Sequence, residues 1–223
     1  MKYRYDGVLL DIDGTIVDSN AAHALAWVDA LAAYGRRVPV DLVRPLIGMG
    51  ADKLLQSVAS LNSESGDGKL IAEARAGIFK RHYVPMLRPT PGAERFVQWL
   101  IRSGLRVVVA TSAQRDEVKD LLAVCGALDF LDGATTSDDA EHSKPDPDII
   151  VAALEKSKCE VNRVVMIGDT PYDVEAARRA NIRTIAFRCG GWDDEHLGDA
   201  LAIYDNPADL MECIDESPFA VAT

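Results

Sequence analysis

Residues 8–15 have the sequence VLLDIDGT, in which a short apolar run leads directly into two aspartates, a glycine and a threonine. A run of this kind predicts a strand buried on both faces, as in a parallel sheet. Because side chains alternate along a strand, Asp11 and Asp13 can project from nearly the same side where the strand opens, and Gly14 permits a sharp turn. The two carboxylates either repel each other there or share a cation. The alternative is an ordinary turn whose Asp and Thr side chains cap the next helix.

The rest of the chain repeats this pattern of a short apolar run followed by a helical segment. Runs rich in Val, Ile and Leu predict strands at residues 7–12, 106–111, 164–168 and 183–187. Helical patterns lie among them at residues 92–102, 114–124, 147–156 and 172–180. Alternating strands and helices predict an α/β fold with a doubly wound parallel sheet. Ligands of such sheets bind beyond the carboxyl ends of the strands.

One long interval, residues 18–88, interrupts the alternation. It has no convincing strand. Helical patterns fall at residues 21–34, 40–46, 51–61 and 70–83, and an exposed loop is expected at residues 63–68. Prolines at positions 85, 89 and 91 mark the return to the sheet, because proline and the residue before it resist helix continuation. We therefore predict a core of residues 1–17 and 89–223 and an inserted α-helical cap of residues 18–88.

The composition excludes several classes of partner. The chain has 223 residues, of which 48% are hydrophobic, and can bury a sizeable core. Its net charge of −11 argues against nucleic acid, which needs a basic surface, and against anionic membranes. We find no apolar stretch of membrane-spanning length, no visible secretory signal and no CxxC pairing among the four cysteines. We expect a cytoplasmic protein with reduced thiols; its oligomeric state stays open.

Polar residues also follow the other predicted strands. Thr111 and Ser112 precede a helix N-terminus, where hydroxyl and N–H groups form a natural anion site. Asp169 and Asp173 follow the strand at residues 164–168 and offer the hard oxygen ligands that suit Mg²⁺. Lys144 precedes a predicted helix in a proline-fixed loop that could aim its ammonium inward. Singly, these are ordinary helix caps and a loop lysine; together they predict a metal and phosphate site.

The order and spacing of these motifs over residues 8–173 resemble the haloacid dehalogenase-like hydrolase superfamily. They are most similar to its magnesium-dependent phosphatases and phosphomutases, which have a helical cap inserted after the first motif. The resemblance implies that Asp11 is a nucleophile that forms an aspartyl-phosphate and that Asp13 is the general acid and base. It also implies that Thr111, with Ser112, binds the phosphoryl group and that Lys144 neutralises this group and the nucleophile.

The same resemblance implies a magnesium cofactor and a small phosphorylated metabolite as substrate. The Asp11 carboxylate, the Asp13 backbone carbonyl and Asp169 would hold Mg²⁺, with Asp173 a ligand through water. Sugar phosphates, phosphoglycolate and other small phosphomonoesters all fit a capped site of this kind. Hydrolysis of such an ester is the expected reaction.

Other activities within the superfamily differ in identifiable residues. Dehalogenases lack the second aspartate of the first motif, so Asp13 disfavours dehalogenation. The hinge sequence at residues 18–27, DSNAAHALAW, resembles the β-phosphoglucomutase-like branch, in which the matching histidine couples cap closure to acid and base action. We expect this role for His23; a helix residue that lies on the cap surface or packs under Trp27 is an equal alternative.

The mutase branch also has a basic residue shortly after a cap glycine, where it grips a second phosphate. Residues 46–53, LIGMGADK, have small or apolar residues there, which favours a hydrolase, although Lys53 could replace the basic group from the next helical turn. We therefore expect Gly48, Lys53 and His23 near the substrate. A phosphosugar mutase stays the alternative. A phosphoacceptor domain of the receiver type is less favoured, because receivers have about half this length and no cap.

Overall fold

The computed structural model describes residues 3–127 and 133–221. Its centre is one sheet of six strands in the order β3-β2-β1-β4-β5-β6, and every neighbouring pair is parallel. The strands are β1 Gly7–Leu10, β2 Arg106–Ala110, β3 Gly133–Thr135, β4 Val164–Gly168, β5 Arg183–Phe187 and β6 Ala202–Tyr204. The predicted α/β fold with a doubly wound parallel sheet is confirmed.

Helices cover both faces of this sheet. They are α5 Ala93–Arg102, α6 Arg115–Val124, α7 Asp148–Ser157, α8 Pro171–Arg179 and α9 Pro207–Glu212. Val8 and Leu10 belong to the apolar cluster on one face, whereas Leu9 belongs to a second cluster on the other. This division follows from the alternation of side chains along a strand, and it explains why β1 is apolar at every position.

Between β1 and α5 the chain forms a separate group of helices, which we call the helical segment. These are α1 Asn20–Ala33, α2 Val40–Val43, α3 Ala51–Ala59 and α4 Gly66–Ile78, and they bury an apolar cluster of their own. The two connections to the sheet run side by side: Val17 and Pro89 form an antiparallel bridge, and the Asp18 amide donates to the Arg88 carbonyl at 2.9 Å. The predicted boundaries at residues 17/18 and 88/89 stay a prediction. Within residues 3–127 and 133–221, no helix has both the length and the apolarity needed to cross a bilayer.

The prediction missed two strands and misplaced one loop. Strands β3 and β6 have three residues each and are only partly buried, so neither produces an apolar run that could be recognised. The loop expected at residues 63–68 is wrong in its second half, because α4 already begins at Gly66. Burial of Ile71 and Ala72 in the helical cluster supports this helix despite its glycine-rich start.

Candidate active site

The parallel sheet brings the ends of three strands together. Strand β1 lies between β2 and β4, where the strand order reverses, and side chains beyond their carboxyl ends share one crevice. Asp11 follows β1, Thr111 follows β2 and Asp169 follows β4. All three side chains are buried. The topology therefore assembles three residues that are up to 158 positions apart in the chain.

A cluster of three carboxylates lies at the centre of this crevice. Asp11, Asp169 and Asp173 each offer an oxygen, and these oxygens lie within 4.8 Å of one another. The Lys144 ammonium donates to Asp11 Oδ1 at 2.6 Å, to Asp173 Oδ1 at 2.7 Å and to the Ala110 carbonyl at 2.7 Å. Its side chain is 1% exposed. Lys144 thus pairs with two of the three carboxylates, Asp11 and Asp173.

The proton affinities of these groups reflect the excess of negative charge. The pKa of Asp11 is raised to about 8: burial is the largest cause, the charges of Asp173 and Asp13 also raise it, and the positive charge of Lys144 lowers it. Burial, together with the charges of Asp11 and Asp173, also raises the pKa of Asp169 well above its usual value. Burial alone would lower the pKa of Lys144, but the charges of Asp11 and Asp173 outweigh it and raise that pKa.

The donor set fits a magnesium ion. Hard oxygen ligands from one or two carboxylates suit Mg²⁺, which also keeps waters and takes phosphate oxygens from a substrate. A divalent cation at the cluster would offset the charges that raise the pKa values of Asp11 and Asp169. In addition, Asn20 Oδ1 is buried beside Asp169 with no hydrogen-bond partner among the described residues. The residues present therefore match the cofactor that the sequence predicts.

Asp169 is held by two residues that the sequence did not reveal as site residues. The Thr15 hydroxyl donates to its Oδ1 at 2.7 Å, and Asn20 Nδ2 donates to its Oδ2 at 2.9 Å. Thr15 belongs to the first motif, but its partner lies 154 positions away. Asn20 is the first residue of α1 and directly follows the N-cap position, where asparagine is common. Neither position carries a local signal for contact with a carboxylate.

Asp173 has two functions at once. Its Oδ2 accepts hydrogen bonds from the Thr170 amide at 3.0 Å and the Thr170 hydroxyl at 2.7 Å, forming a capping box at the start of α8. Its Oδ1 accepts from Lys144. Asp173 therefore caps α8 and also belongs to the buried carboxylate cluster.

Asp13 does not join the carboxylate cluster. Its Oδ1 accepts from the Ser19 hydroxyl at 2.5 Å and lies 2.8 Å from His23 Nε2. Burial raises its pKa, but the charge and hydrogen bond of His23 and the hydrogen bond of Ser19 outweigh burial, so its pKa is lowered. The His23 ring stacks on Phe79, with ring centroids 3.9 Å apart. The structure thus gives the two aspartates of the first motif different partners.

Above the carboxylates lies a pocket with about 470 Å³ of empty space, partly open to solvent. The predicted residues in its wall are Asp11, Asp13, His23, Gly48, Thr111 and Ser112. The loop before α3 closes over it, and the Ser112 hydroxyl donates to the Gly48 carbonyl at 3.0 Å. Trp27, Ile47 and Met49 supply apolar surface. The helical segment therefore forms the roof of the site.

Lys53 is not brought into this pocket. Its ammonium pairs with Asp146, and it lines a separate open groove between α3 and the loop before α7. Instead, the pocket contains Arg75 of α4 and Glu117 of α6, which the sequence analysis did not identify. The two residues lie 42 positions apart on amphipathic helices, where charged residues usually face solvent. No local pattern distinguishes them from ordinary surface charges.

Comparisons with known proteins show what this chain is similar to. The family model described as haloacid dehalogenase-like hydrolase matches residues 8–187. The chain is 25% identical over 188 residues to fructose-1-phosphate phosphatase of Escherichia coli (strain K12), covering 84% of the chain and 99% of that protein. It is 28% identical over 217 residues to phosphoglycolate phosphatase 1 of Pseudomonas aeruginosa, covering 94% and 80% respectively. A solved structure, a hydrolase from Pseudomonas syringae, matches with a TM-score of 0.88 at 28% identity, covering 96% of this chain and 99% of that one.

Proposed function

The chain belongs to the haloacid dehalogenase-like hydrolases, and on that premise we propose that it is a magnesium-dependent phosphatase of small phosphomonoesters. The observation that carries the proposal is the buried carboxylate cluster of Asp11, Asp169 and Asp173 with Lys144, placed under a pocket that is partly open to solvent. Relatives named for fructose 1-phosphate and phosphoglycolate support a substrate of this size.

Asp11 is the nucleophile of the proposed reaction. A carboxylate oxygen of Asp11 attacks phosphorus, the bond from phosphorus to the ester oxygen breaks, and the phosphoryl group is left on Asp11. Water then attacks the phosphorus, which yields inorganic phosphate and restores Asp11. Lys144, bonded to Asp11 Oδ1 at 2.6 Å, orients the carboxylate and offsets negative charge. Thr111, beside it in the pocket wall, has a hydroxyl that can donate to the phosphoryl oxygens.

Asp13 moves the protons of both steps. It gives a proton to the departing ester oxygen and later takes one from the attacking water. The 2.8 Å contact between Asp13 Oδ1 and His23 Nε2 lets one proton be held between the two groups. His23 and Ser19 both belong to the start of the helical segment, so the position of that segment controls how Asp13 is oriented.

Magnesium fits the same site. Asp11, Asp169 and the Asp13 backbone carbonyl would hold it, and Asp173 would contact it through water. When bound, the ion supplies positive charge that offsets the charge of phosphate and of the carboxylates. Asn20 and Thr15 keep Asp169 oriented toward the cluster.

A phosphosugar mutase is less well supported. Such an enzyme must hold a second phosphate, but residues 49–52 carry no basic side chain, and Lys53 is paired with Asp146 outside the pocket. The expected product is therefore inorganic phosphate. A cytoplasmic location and a small phosphorylated metabolite as the partner stay part of the proposal.

The proposal is tested with p-nitrophenyl phosphate and a panel of several dozen phosphate esters, each with Mg²⁺ and with a chelator. We expect turnover only with Mg²⁺, and no turnover by Asp11→Asn, with its fold checked by circular dichroism. Asp13→Asn is expected to stop steady-state turnover at one of the two proton transfers. Absence of metal-dependent turnover across the panel, or an active Asp11→Asn variant, would refute the proposal.

A further inference from the structure

A buried ion pair joins the helical segment to the sheet domain inside the pocket. Arg75 Nη1, from α4, donates to Glu117 Oε1 at 2.8 Å and to Oε2 at 3.0 Å, and both side chains are 7% exposed. The Arg75 guanidinium also lies over the Trp27 ring, 5.1 Å from its centroid. Both charged residues line the same pocket as Asp11 and Thr111. The pair thus faces the space that the alcohol part of a substrate would occupy.

This pair retains hydrogen-bonding capacity. The two bonds to Glu117 use only one nitrogen of the guanidinium, so further N–H donors of Arg75 remain beyond these two bonds. A guanidinium has five N–H donors, and each carboxylate oxygen has two acceptor positions. A hydroxyl group is both donor and acceptor, so it can bond to Arg75 and Glu117 together. A carboxylate or phosphate has acceptors only and would meet the negative charge of Glu117.

The charges of the pocket wall also favour a neutral hydroxyl group over a second anionic group. Arg75 is the single Lys or Arg that lines this pocket in the described part of the chain, and Glu117 neutralises it. Lys144 is bonded to the carboxylates beneath the pocket. A second anionic group on the substrate therefore finds no unpaired cation.

We propose that Arg75 and Glu117 select phosphomonoesters whose leaving group is an uncharged polyhydroxy alcohol, and that they discriminate against a second phosphate or a carboxylate. This inference rests on the proposed phosphatase activity and narrows its substrate class. Glu117 excludes the second anion by charge, whereas Arg75 and Glu117 together bind neutral hydroxyl groups. Neither residue takes part in phosphoryl transfer.

The test compares 2-hydroxyethyl phosphate with phosphoglycolate, which differ by a hydroxymethyl group in place of a carboxylate. We expect kcat/KM of the wild type to be at least tenfold higher for 2-hydroxyethyl phosphate. In Glu117→Gln, the amide oxygen can still accept from Arg75 but the charge is lost, so we expect this ratio to fall at least tenfold through a gain for phosphoglycolate.

Asp120→Asn is the matched control. Asp120 lies on the same helix and pairs with Lys80 of the helical segment at 2.8 Å, but it does not line the pocket. We expect it to keep the wild-type ratio, which separates selection in the pocket from a general effect of the ion pairs that hold the helical segment.

The outcomes are distinguishable. Wild-type enzyme that hydrolyses phosphoglycolate as well as 2-hydroxyethyl phosphate would overturn the inference and leave the phosphatase intact, whether or not Glu117→Gln folds. An unchanged ratio in folded Glu117→Gln, or an equal change in Asp120→Asn, would overturn it too. Absence of metal-dependent turnover of both esters and of p-nitrophenyl phosphate would overturn the proposed function, and the inference with it.

Discussion

Asp169 packs directly against Gly14 and Gly190, and a side chain at either glycine would occupy its position. Substitutions at these glycines therefore test the proposed metal site. A Cβ at Gly14 would lie 2.7 Å from Asp169 Cγ, and a Cβ at Gly190 would lie 2.6 Å from Asp169 Cβ. Both distances are far inside van der Waals contact. We therefore predict that Gly14→Ala and Gly190→Ala displace Asp169 and weaken Mg²⁺ binding.

The two variants differ in their backbone cost. Gly14 has a φ of 77°, so alanine there adds a left-handed backbone cost of about 1–2 kcal/mol to the clash. Gly190 is not among the residues with positive φ, so its variant tests the clash by itself. Gly35 has a φ of 75° and open space around its Cβ position, so Gly35→Ala isolates the backbone cost.

The assay combines urea unfolding, calorimetric titration with Mg²⁺ and turnover of p-nitrophenyl phosphate. Disturbing the groups that orient metal ligands lowers metal affinity by about 10–100-fold. We expect at least this loss of Mg²⁺ affinity for Gly14→Ala and for Gly190→Ala. Gly35→Ala should lose about 1–2 kcal/mol of stability and keep its Mg²⁺ affinity and turnover. If Gly190→Ala binds Mg²⁺ as tightly as the wild type, the placement of Asp169 as a metal ligand is refuted.

Two further predictions follow from the charges of the site. Lys53→Ala should keep kcat/KM within about twofold of the wild type, because Lys53 pairs with Asp146 outside the pocket; a larger loss on the best substrate of the ester panel would show that Lys53 reaches the substrate. Metal-free protein should become less stable as the pH rises from about 4 to about 8. Over this range folded Asp11, with its pKa raised to about 8, keeps a proton that the unfolded chain releases. The free energy of unfolding falls by at most about 1.4 kcal/mol per pH unit for this proton. Urea unfolding at pH 5 and pH 7.5 should show the fall with a chelator and a much smaller fall with saturating Mg²⁺. Equal stabilities at the two pH values with the chelator would contradict the prediction.

Local patterns sufficed to predict four of the six strands and the polar residues that follow three of them. Buried parallel strands need apolar side chains on both faces, so β1, β2, β4 and β5 stand out in the sequence, and polar residues that follow them are conspicuous. Asp11, Thr111 and Asp169 could be assigned to one site because the carboxyl ends of parallel neighbours must meet. Strands β3 and β6 are short and partly exposed, so the same signal was missing there.

The sequence by itself singled out the groups of the proposed reaction, because Asp11, Thr111 and Asp169 directly follow buried strands and their motifs resemble those of a known family. Only the tertiary structure decided how those groups are held and what surrounds the substrate. The contact of Asn20 with Asp169 and the pairing of Arg75 with Glu117 join residues distant in the chain, and the same packing directs Lys53 away from the pocket. Such contacts depend on how the helical segment packs against the sheet, which no short stretch of sequence encodes.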